Sequence, residues 1–330
     1  MATLKDVARE AELAVSTVSR ILNNRGYISE DARTRVNQAM EKLNYQPNEL
    51  ARSLHRNKSN LIGLIVPHIE HPYFSAVISE VEDQAYRKGY RILLCNSQTM
   101  KEREQEYIEI CRRNRVAGII MCTGQDSLKG FEDLGVPVIA WERFSDDKVA
   151  AIECDNIMGG SLAAQHLIDR GCRHLIHLGT NPLMQMPGDC RLIGFRETCS
   201  KHGVTCHEES ICIGLDYMKD NKEQIIRILK KYPETDGIFA NNDILAAQVI
   251  MTCKDLGIPV PEKIKVIGYD DVFLTRITSP SITTIRQPLK EMAIHAIEIL
   301  DTSIQGELCL EKTKFPVKLI ERESTAIIKG

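Results

Sequence analysis

Along the first 45 residues, apolar positions recur every three or four places in short, narrow stripes. Leu4, Val7, Ala8 and Ala11 form one; Val18, Ile21 and Leu22 a second; Ala32, Val36, Ala39, Met40 and Leu43 a third. That spacing predicts three short amphipathic helices, each with one face to bury. Thr3, with Asp6 three residues on, is a capping-box pattern for the first. A break at Glu12-Leu13 ends it, and a second helix starts near Ala14. The run Asn23-Asn24-Arg25-Gly26 reads as a turn, and Ser29-Glu30-Asp31 opens the third helix. Three short helices around one small core, the first two joined tightly, describe a helix-turn-helix module.

From Leu61 onward the pattern changes to continuous apolar runs separated by helical stretches. LIGLIVP precedes a helix over 73–88 with Phe74, Val77, Ile78, Val81 and Ala85 on one face. YRILLCN precedes a helix around 106–114, and AGIIMC and VPVIAW follow. A second series runs through a helix over 159–170, HLIHLG, a helix over 190–201, DGIFA, a helix over 243–256 and IKVIGYD. Buried strands alternating with helices predict doubly wound parallel sheets covered on both faces. In such sheets ligands collect at the carboxyl edges of the strands. The fold class is therefore a small all-α head followed by an α/β core.

Composition narrows the class of protein. With 43% apolar and 26% charged residues, the 330-residue chain is ordinary globular material. No run approaches the roughly 18 uncharged apolar residues of a membrane helix. MATLKDVARE places charges where a signal peptide needs an apolar stretch, so a cytoplasmic location is expected. Eleven cysteines include no CxxC pair, and several fall in strand-like runs, as Cys95 and Cys122 do. Reduced thiols of that kind pack as small apolar groups. Cys206-His207 lacks partners at ligand spacing, so no metal and no cofactor is expected. The chain lacks a GxSxG elbow, a GxxxxGK[ST] loop and a GxGxxG after the first core strand, and an enzyme reading therefore has little support. Residues 1–58 carry ten Lys/Arg against seven Asp/Glu, while the whole chain is −3. A basic head on an acidic body suits a polyanionic partner for the head.

In a helix-turn-helix module the second helix enters the major groove. Its first residues here are Val15, Ser16 and Thr17, with Ser19 and Arg20 on the same side. Valine can touch a thymine methyl, Ser and Thr can bond a base or a phosphate, and arginine can pair with a guanine edge. The alternative is a three-helix docking domain whose polar residues are merely solvated. The motifs favour DNA: LKDVAREAELAVSTVSRILN, then YQPNELARSL and GLIVP, resemble the lac repressor (LacI/GalR) family of bacterial transcription regulators. The likeness runs over essentially the whole chain and is most specific in the first 65 residues. Many members have Gly at the end of the first helix and Ser capping the second, where this chain has Glu12 and Ala14. A missing hydroxyl cap costs about 1 kcal/mol.

The resemblance implies three parts: a DNA-binding domain over 1–46, a hinge helix or linker over 47–58, and a two-lobed effector-binding and dimerisation core over 59–330. DNA contacts are implied for Thr3, Val15, Ser16, Thr17, Ser19, Arg20 and Asn23, and in the hinge for Asn48, Ala51, Arg52 and Leu54. Pro47 stops the preceding helix and Asn48 can cap a short one. One or two turns are unstable alone in water, so the hinge must borrow stability from a partner's hinge and from the minor groove. Leu54 matches the family's wedge, which inserts between base pairs and kinks the duplex. The alternative is an ordinary linker.

The resemblance also implies a periplasmic-binding-protein-like core, with crossovers near 154–157, 285–288 and 315–320 and a cleft that closes on a ligand. Candidate effector contacts are Tyr73, Phe74, Trp141, Glu142, Arg143, Arg191, Tyr217, Asn242, Asp243 and Asp270, with His71 beside them. Carboxylates, amides and arginine with aromatic faces suit a sugar, bonding adjacent hydroxyls while a ring covers the C–H side. Simpler tasks stand beside these: Asp270 ordering its own turn, Asp243 capping a helix, Trp141 filling core. His166, His174 and His177 read as packing. Glu142 stands where sugar-responsive relatives often have Asp.

The expectation is a dimeric repressor of a carbohydrate-utilisation operon, released from a palindromic operator by a sugar or sugar phosphate. The alternative is a regulator whose DNA binding is strengthened by a purine-like ligand or a phosphorylated carrier protein. KLIERESTAIIKG contains no leucine heptads, and a two-fold dimer matches paired half-sites. Leu54→Ala should weaken specific operator binding by at least about tenfold, the scale of a lost groove contact, while calorimetric ligand affinity stays unchanged. Undiminished operator affinity would remove Leu54 from the wedge.

Overall fold

The computed structural model describes residues 2–22, 28–45, 59–122, 135–143, 149–180, 187–211, 219–307 and 309–327. The chain divides into two compact units, Met1–Ser59 and Asn60–Gly330. Asn23, Asn48, Ala51, Arg52, Leu54 and Tyr217 lie outside the described residues.

The first unit contains α1 (Leu4–Glu10), α2 (Val15–Leu22) and α3 (Glu30–Lys42). The capping box forms: Asp6 N–H donates to Thr3 Oγ1 at 3.3 Å, and Thr3 N–H donates to the Asp6 carboxylate at 2.9 Å. Val7, Ala8, Ala11, Val18, Ile21, Val36 and Ala39 are buried together, with Leu4, Ala32, Met40 and Leu43 packed against them. Glu12, in the turn after α1, sits at φ 52°, a left-handed conformation that glycine adopts more easily. Arg35 on α3 compensates by donating to the carbonyls of both Ala11 and Glu12, which ties the turn to the third helix.

The second unit begins with β1 (Leu61–Val66), α4 (Pro72–Arg87), β2 (Arg91–Asn96), α5 (Lys101–Arg113), β3 (Gly118–Met121), β4 (Val138–Trp141) and β5 (Ala150–Cys154). It continues with α6 (Asn156–Asp169), β6 (His174–Thr180), α7 (Cys190–Lys201), β7 (Thr205–Ile211), α8 (Lys222–Lys231), β8 (Gly237–Ala240), α9 (Asp243–Asp255) and β9 (Lys265–Asp270). After these come α10 (Leu274–Ile277), β10 (Thr283–Arg286), α11 (Leu289–Ile304), β11 (Lys312–Phe315) and β12 (Lys318–Ile320). One sheet has the order β11-β5-β4-β3-β1-β2 and the other β12-β10-β9-β8-β6-β7. Among the described residues, every pairing is parallel except that of β12 with β10.

Each sheet belongs to one lobe, and the chain crosses between lobes where expected. It leaves the first sheet after β5, returns after β10 as α11 packs on α4, and crosses again between β11 and β12. Strand order reverses beside β1 in one lobe and beside β6 in the other, and both switch points open at carboxyl edges. Helix α5 starts five residues earlier than its apolar pattern suggests. Its first turns, KEREQ, are almost wholly polar, and Glu102 and Glu104 favour a helix N-terminus without marking an apolar stripe. Strand β7 has no continuous apolar run to mark it, because it is an edge strand, polar and half exposed through TCHEESI.

Helices α6 and α7 cross almost backbone to backbone. A Cβ on Gly160 would fall 1.8 Å from the Arg191 carbonyl oxygen, and one on Gly194 would fall 1.9 Å from that of Ile157. No side-chain rearrangement relieves a clash with main chain. This crossing fixes where Arg191 emerges from α7. Gly160→Ala should destabilise the core by at least about 1–3 kcal/mol in urea unfolding, the usual cost of overpacking. An unchanged midpoint would show that the helices can separate freely.

Candidate functional site

The polar centre of the second unit is Arg191, 8% exposed. Its Nε donates to Asn156 Oδ1 at 2.8 Å, and Nη1 donates to the Asn241 carbonyl at 2.5 Å. Its guanidinium lies 3.5 Å over the ring of Tyr269. Burial opposes the charge, yet Tyr269, Asp270, Cys154 and Glu142 outweigh it, and the guanidinium is held charged even more firmly than usual. Asn156 then turns its other end to the opposite lobe: Nδ2 donates to Glu142 Oε2 at 3.0 Å and to the Cys154 carbonyl at 3.2 Å. The orientation of this amide is unambiguous, because an arginine offers only donors and a carboxylate only acceptors. Cys154 N–H also donates to Glu142. A carboxylate at the end of β4, an amide at the first residue of α6 and a guanidinium on α7 thus form one chain across both lobes.

Two further groups face this chain. Tyr269 donates its hydroxyl to Asn156 Oδ1 at 3.4 Å and lies equally close to the Cys154 thiol. Asp270, at φ 113°, accepts from Gln287 Nε2 at 2.6 Å. Burial pushes the Asp270 carboxyl up to about 7, against the pull of Arg191 and Gln287. Glu142 is also raised, by burial first, with Cys154 N–H and Asn156 opposing. On the first lobe, His71 caps α4 by accepting from Tyr73 N–H at 3.2 Å, and burial lowers its imidazole to about 4. Tyr73 and Phe74 meet edge to face at 5.0 Å.

Tyr73, Phe74, Glu142, Arg191 and Asp270 therefore converge on the carboxyl edges of both sheets, while other expected contacts have different tasks. Trp141 is wholly buried and donates Nε1–H to the Tyr73 hydroxyl at 3.1 Å. That bond holds the Tyr73 hydroxyl in place. Asp243 is 1% exposed, with Oδ1 accepting from Thr284 at 2.6 Å and Oδ2 from Val272 N–H at 2.9 Å. Its carboxylate orders the turn after β9 instead of lining the cleft. Asn242 caps α9, accepting from Leu245 N–H at 2.8 Å. Arg143 is buried 4.0 Å from buried Glu104.

Asn156 and Gln287 are the residues that sequence reasoning missed. Each lies in a crossover segment, a position that could have drawn attention to them, but a lone amide carries no motif. His166 and His177 are packing, as expected: His166 bonds Thr325 at 2.8 Å, and His177 sits among Phe195 and Phe239.

In the first unit, Val15 is 41% exposed, and Ser16 and Arg20 are exposed beside it at the start and middle of α2. Thr17 and Ser19 are half-buried. Thr3 spends its hydroxyl on the capping box and remains at the surface.

Residues 3–48 match the profile of bacterial regulatory proteins of the lacI family, and residues 164–325 match the periplasmic binding protein-like domain. The ribose operon repressor of Bacillus subtilis is 37% identical over 98% of this chain and 99% of that protein. The ribose operon repressor of Halalkalibacterium halodurans is 33% identical over 98% of this chain and 97% of its own. Among solved structures, a periplasmic binding protein/LacI transcriptional regulator from Alkaliphilus metalliredigens, complexed with D-xylulofuranose, matches with a TM-score of 0.73 and 33% identity. That match covers 82% of this chain and all of the other.

Because the Asp270 carboxyl is raised to about 7 in the fold, folding favours its neutral form. Its contribution to stability is complete below about pH 4 and is lost as pH rises toward 7. Asp270→Asn keeps the acceptor for Gln287 and removes this loss. Between pH 4.5 and 8, the unfolding free energy of the variant should gain on the parent by a few kcal/mol, at about 1.4 kcal/mol per unit. A constant difference across that range would show that Asp270 stays ionised.

Proposed function

The chain belongs to the lacI family of bacterial regulatory proteins, and from that membership we propose a sequence-specific repressor of a carbohydrate-utilisation operon. It acts as a homodimer on a palindromic, double-stranded operator, and a sugar or sugar phosphate in the inter-lobe cleft releases it. It is a regulator and not an enzyme, and it works in the cytoplasm. Among the described residues, no helix is long and apolar enough to cross a membrane.

The observation that carries this reading is the Glu142–Asn156–Arg191 chain, because it makes the approach of the two lobes depend on groups that a polyol can also bond. A sugar inserted among Tyr73, Glu142, Arg191 and Asp270 exchanges some lobe-to-lobe bonds for lobe-to-ligand bonds. The angle between lobes then differs between the free and the loaded protein. In the three-part organisation proposed here (head over 1–46, hinge over 47–58, core over 59–330) that difference reaches the DNA through the hinge. Linkage requires the ligand to weaken operator binding by the same factor that operator weakens ligand binding. The exposed Val15, Ser16 and Arg20 on α2 support base contacts, with Thr17 and Ser19 nearer the core. Thr3, and Asn23, Asn48, Ala51, Arg52 and Leu54, complete the proposed DNA contacts, and Tyr217 stays a proposed cleft residue.

The reading in which a ligand or a phosphorylated carrier tightens DNA binding is less supported. Relatives matching nearly the whole chain bear the name ribose operon repressor.

Operator affinity, measured at fixed salt with and without a panel of sugars and purines, tests the sign of the switch; salt is fixed because phosphate contacts make affinity steeply salt-dependent. A sugar should weaken binding, by about 5–150-fold if the coupling is of ordinary size. Arg191→Ala should abolish this response while sparing operator affinity; a normal response in the variant would remove Arg191 from the site.

A further inference from the structure

The turn between α1 and α2 closes in a way that glutamate does not favour. At the end of α1 the last carbonyls have no partner within the helix. Two are met by the chain itself: Leu13 N–H donates to the Ala8 carbonyl at 3.0 Å, and Glu12 N–H to that of Arg9 at 3.2 Å. This double closure needs a left-handed residue between Ala11 and Leu13, a place where glycine is usual. Glu12 fills it at φ 52°, against the preference of its own side chain. The carbonyls of Ala11 and Glu12 remain, and both accept from a single nitrogen, Nη2 of Arg35, at 2.5 and 3.1 Å.

Arg35 is half-buried on α3, and the carboxylates of Glu12 and Asp31 lie 3.8 and 3.9 Å from its guanidinium. A charged donor bonds a carbonyl more strongly than a neutral one. With two carbonyls and two carboxylates around it, the guanidinium is answered within the head, whereas a phosphate contact needs a cation turned toward the DNA backbone. Helix α2 begins two residues beyond Leu13, which packs against the core of the head. The exposed Val15, Ser16 and Arg20 ride on that helix, so a change in the turn moves all three. Base edges are read at bonding distance and in fixed directions, while attraction to phosphates tolerates such a shift.

We infer that Arg35 is a positioning residue for operator reading. From the third helix it holds the left-handed turn at Glu12, and through that turn the angle at which α2 meets the bases, without itself bonding DNA. This rests on the reading of the head as the operator-binding unit.

The test uses the full-length protein and two duplexes of equal length and composition: the sequence that the parent protein enriches from a random pool, and a scrambled version of it. Affinities are read by fluorescence anisotropy over a series of salt concentrations. Arg35→Gln should weaken binding to the enriched duplex by at least about tenfold, the scale of a lost base contact, and to the scrambled one by less than about twofold. The slope of log affinity against log salt should stay as in the parent; a lost phosphate contact lowers it by about 0.9. In a Glu12→Gly background the same substitution should cost about threefold or less on the enriched duplex, because glycine takes the turn unaided. That background also separates positioning from a failure to fold. A head that Arg35→Gln merely unfolds loses both duplexes, and then only restored binding of both in the double variant supports the inference. Unchanged affinity for the enriched duplex, equal loss on both with a lower slope, or no rescue by Glu12→Gly overturns it. A parent protein that enriches no sequence overturns the operator reading itself, and the inference with it.

Discussion

A buried arginine must be surrounded before the fold can hold it, and the second unit of this protein is arranged around that requirement. Leaving an unpaired guanidinium out of water costs far more than any single packing contact returns. Arg191 is therefore supplied with an amide oxygen, a main-chain carbonyl and an aromatic face, each from a different element. The amide comes from the first residue of α6, just after the chain leaves the first sheet. The carbonyl comes from the end of β8 and the ring from β9. Satisfying one side chain thus fixes the mutual placement of a crossover and two strand ends.

The glycines at the α6–α7 crossing belong to the same solution. Gly160 and Gly194 let two helices approach until main chain meets main chain, and only at that separation does Arg191 reach back to Asn156. The amide then passes the constraint to Glu142 in the other lobe. Its two ends discriminate: an Asp in its place would repel Glu142, and a Leu would leave both charges unanswered. A neutral, two-ended group between a carboxylate and a guanidinium links the lobes through hydrogen bonds that hydroxyls can replace. This exchangeability suits a cleft that has to change its angle.

Different parts of this arrangement were legible in the sequence for different reasons. The three short helices of the head are carried by local stripes, and a capping box spelled Thr3–Asp6 forms as written. Parallel sheets and helix boundaries such as 190–201 follow from runs of apolar residues buried on both faces, whereas the three crossovers were legible only through the family resemblance. Arg191 and Asp270 could be singled out because they sit in recognisable motifs at strand and helix ends. The pattern is silent where residues act through a distant partner. Asn156 and Gln287 look like any crossover amide until the opposite lobe is present. Conversely, Asp243 carries the right chemistry for a cleft but points elsewhere, because Thr284 and Val272 claim its two oxygens first.

The same competition explains the charge of the cleft. Asp243 bonds Thr284 and the turn after β9, so it shapes that end of the lobe without neutralising anything. Burial raises the Glu142 carboxyl, and the N–H donors of Cys154 and Asn156 oppose that shift. Asp270 has one amide and the distant pull of Arg191, and its carboxyl consequently sits near neutrality in pKa. Among the described residues, Gln287 Oε1 and Asn241 Oδ1 are buried acceptors without partners. Donors brought by a ligand can satisfy such acceptors and so add to the bonds by which Glu142, Asn156 and Arg191 already join the lobes.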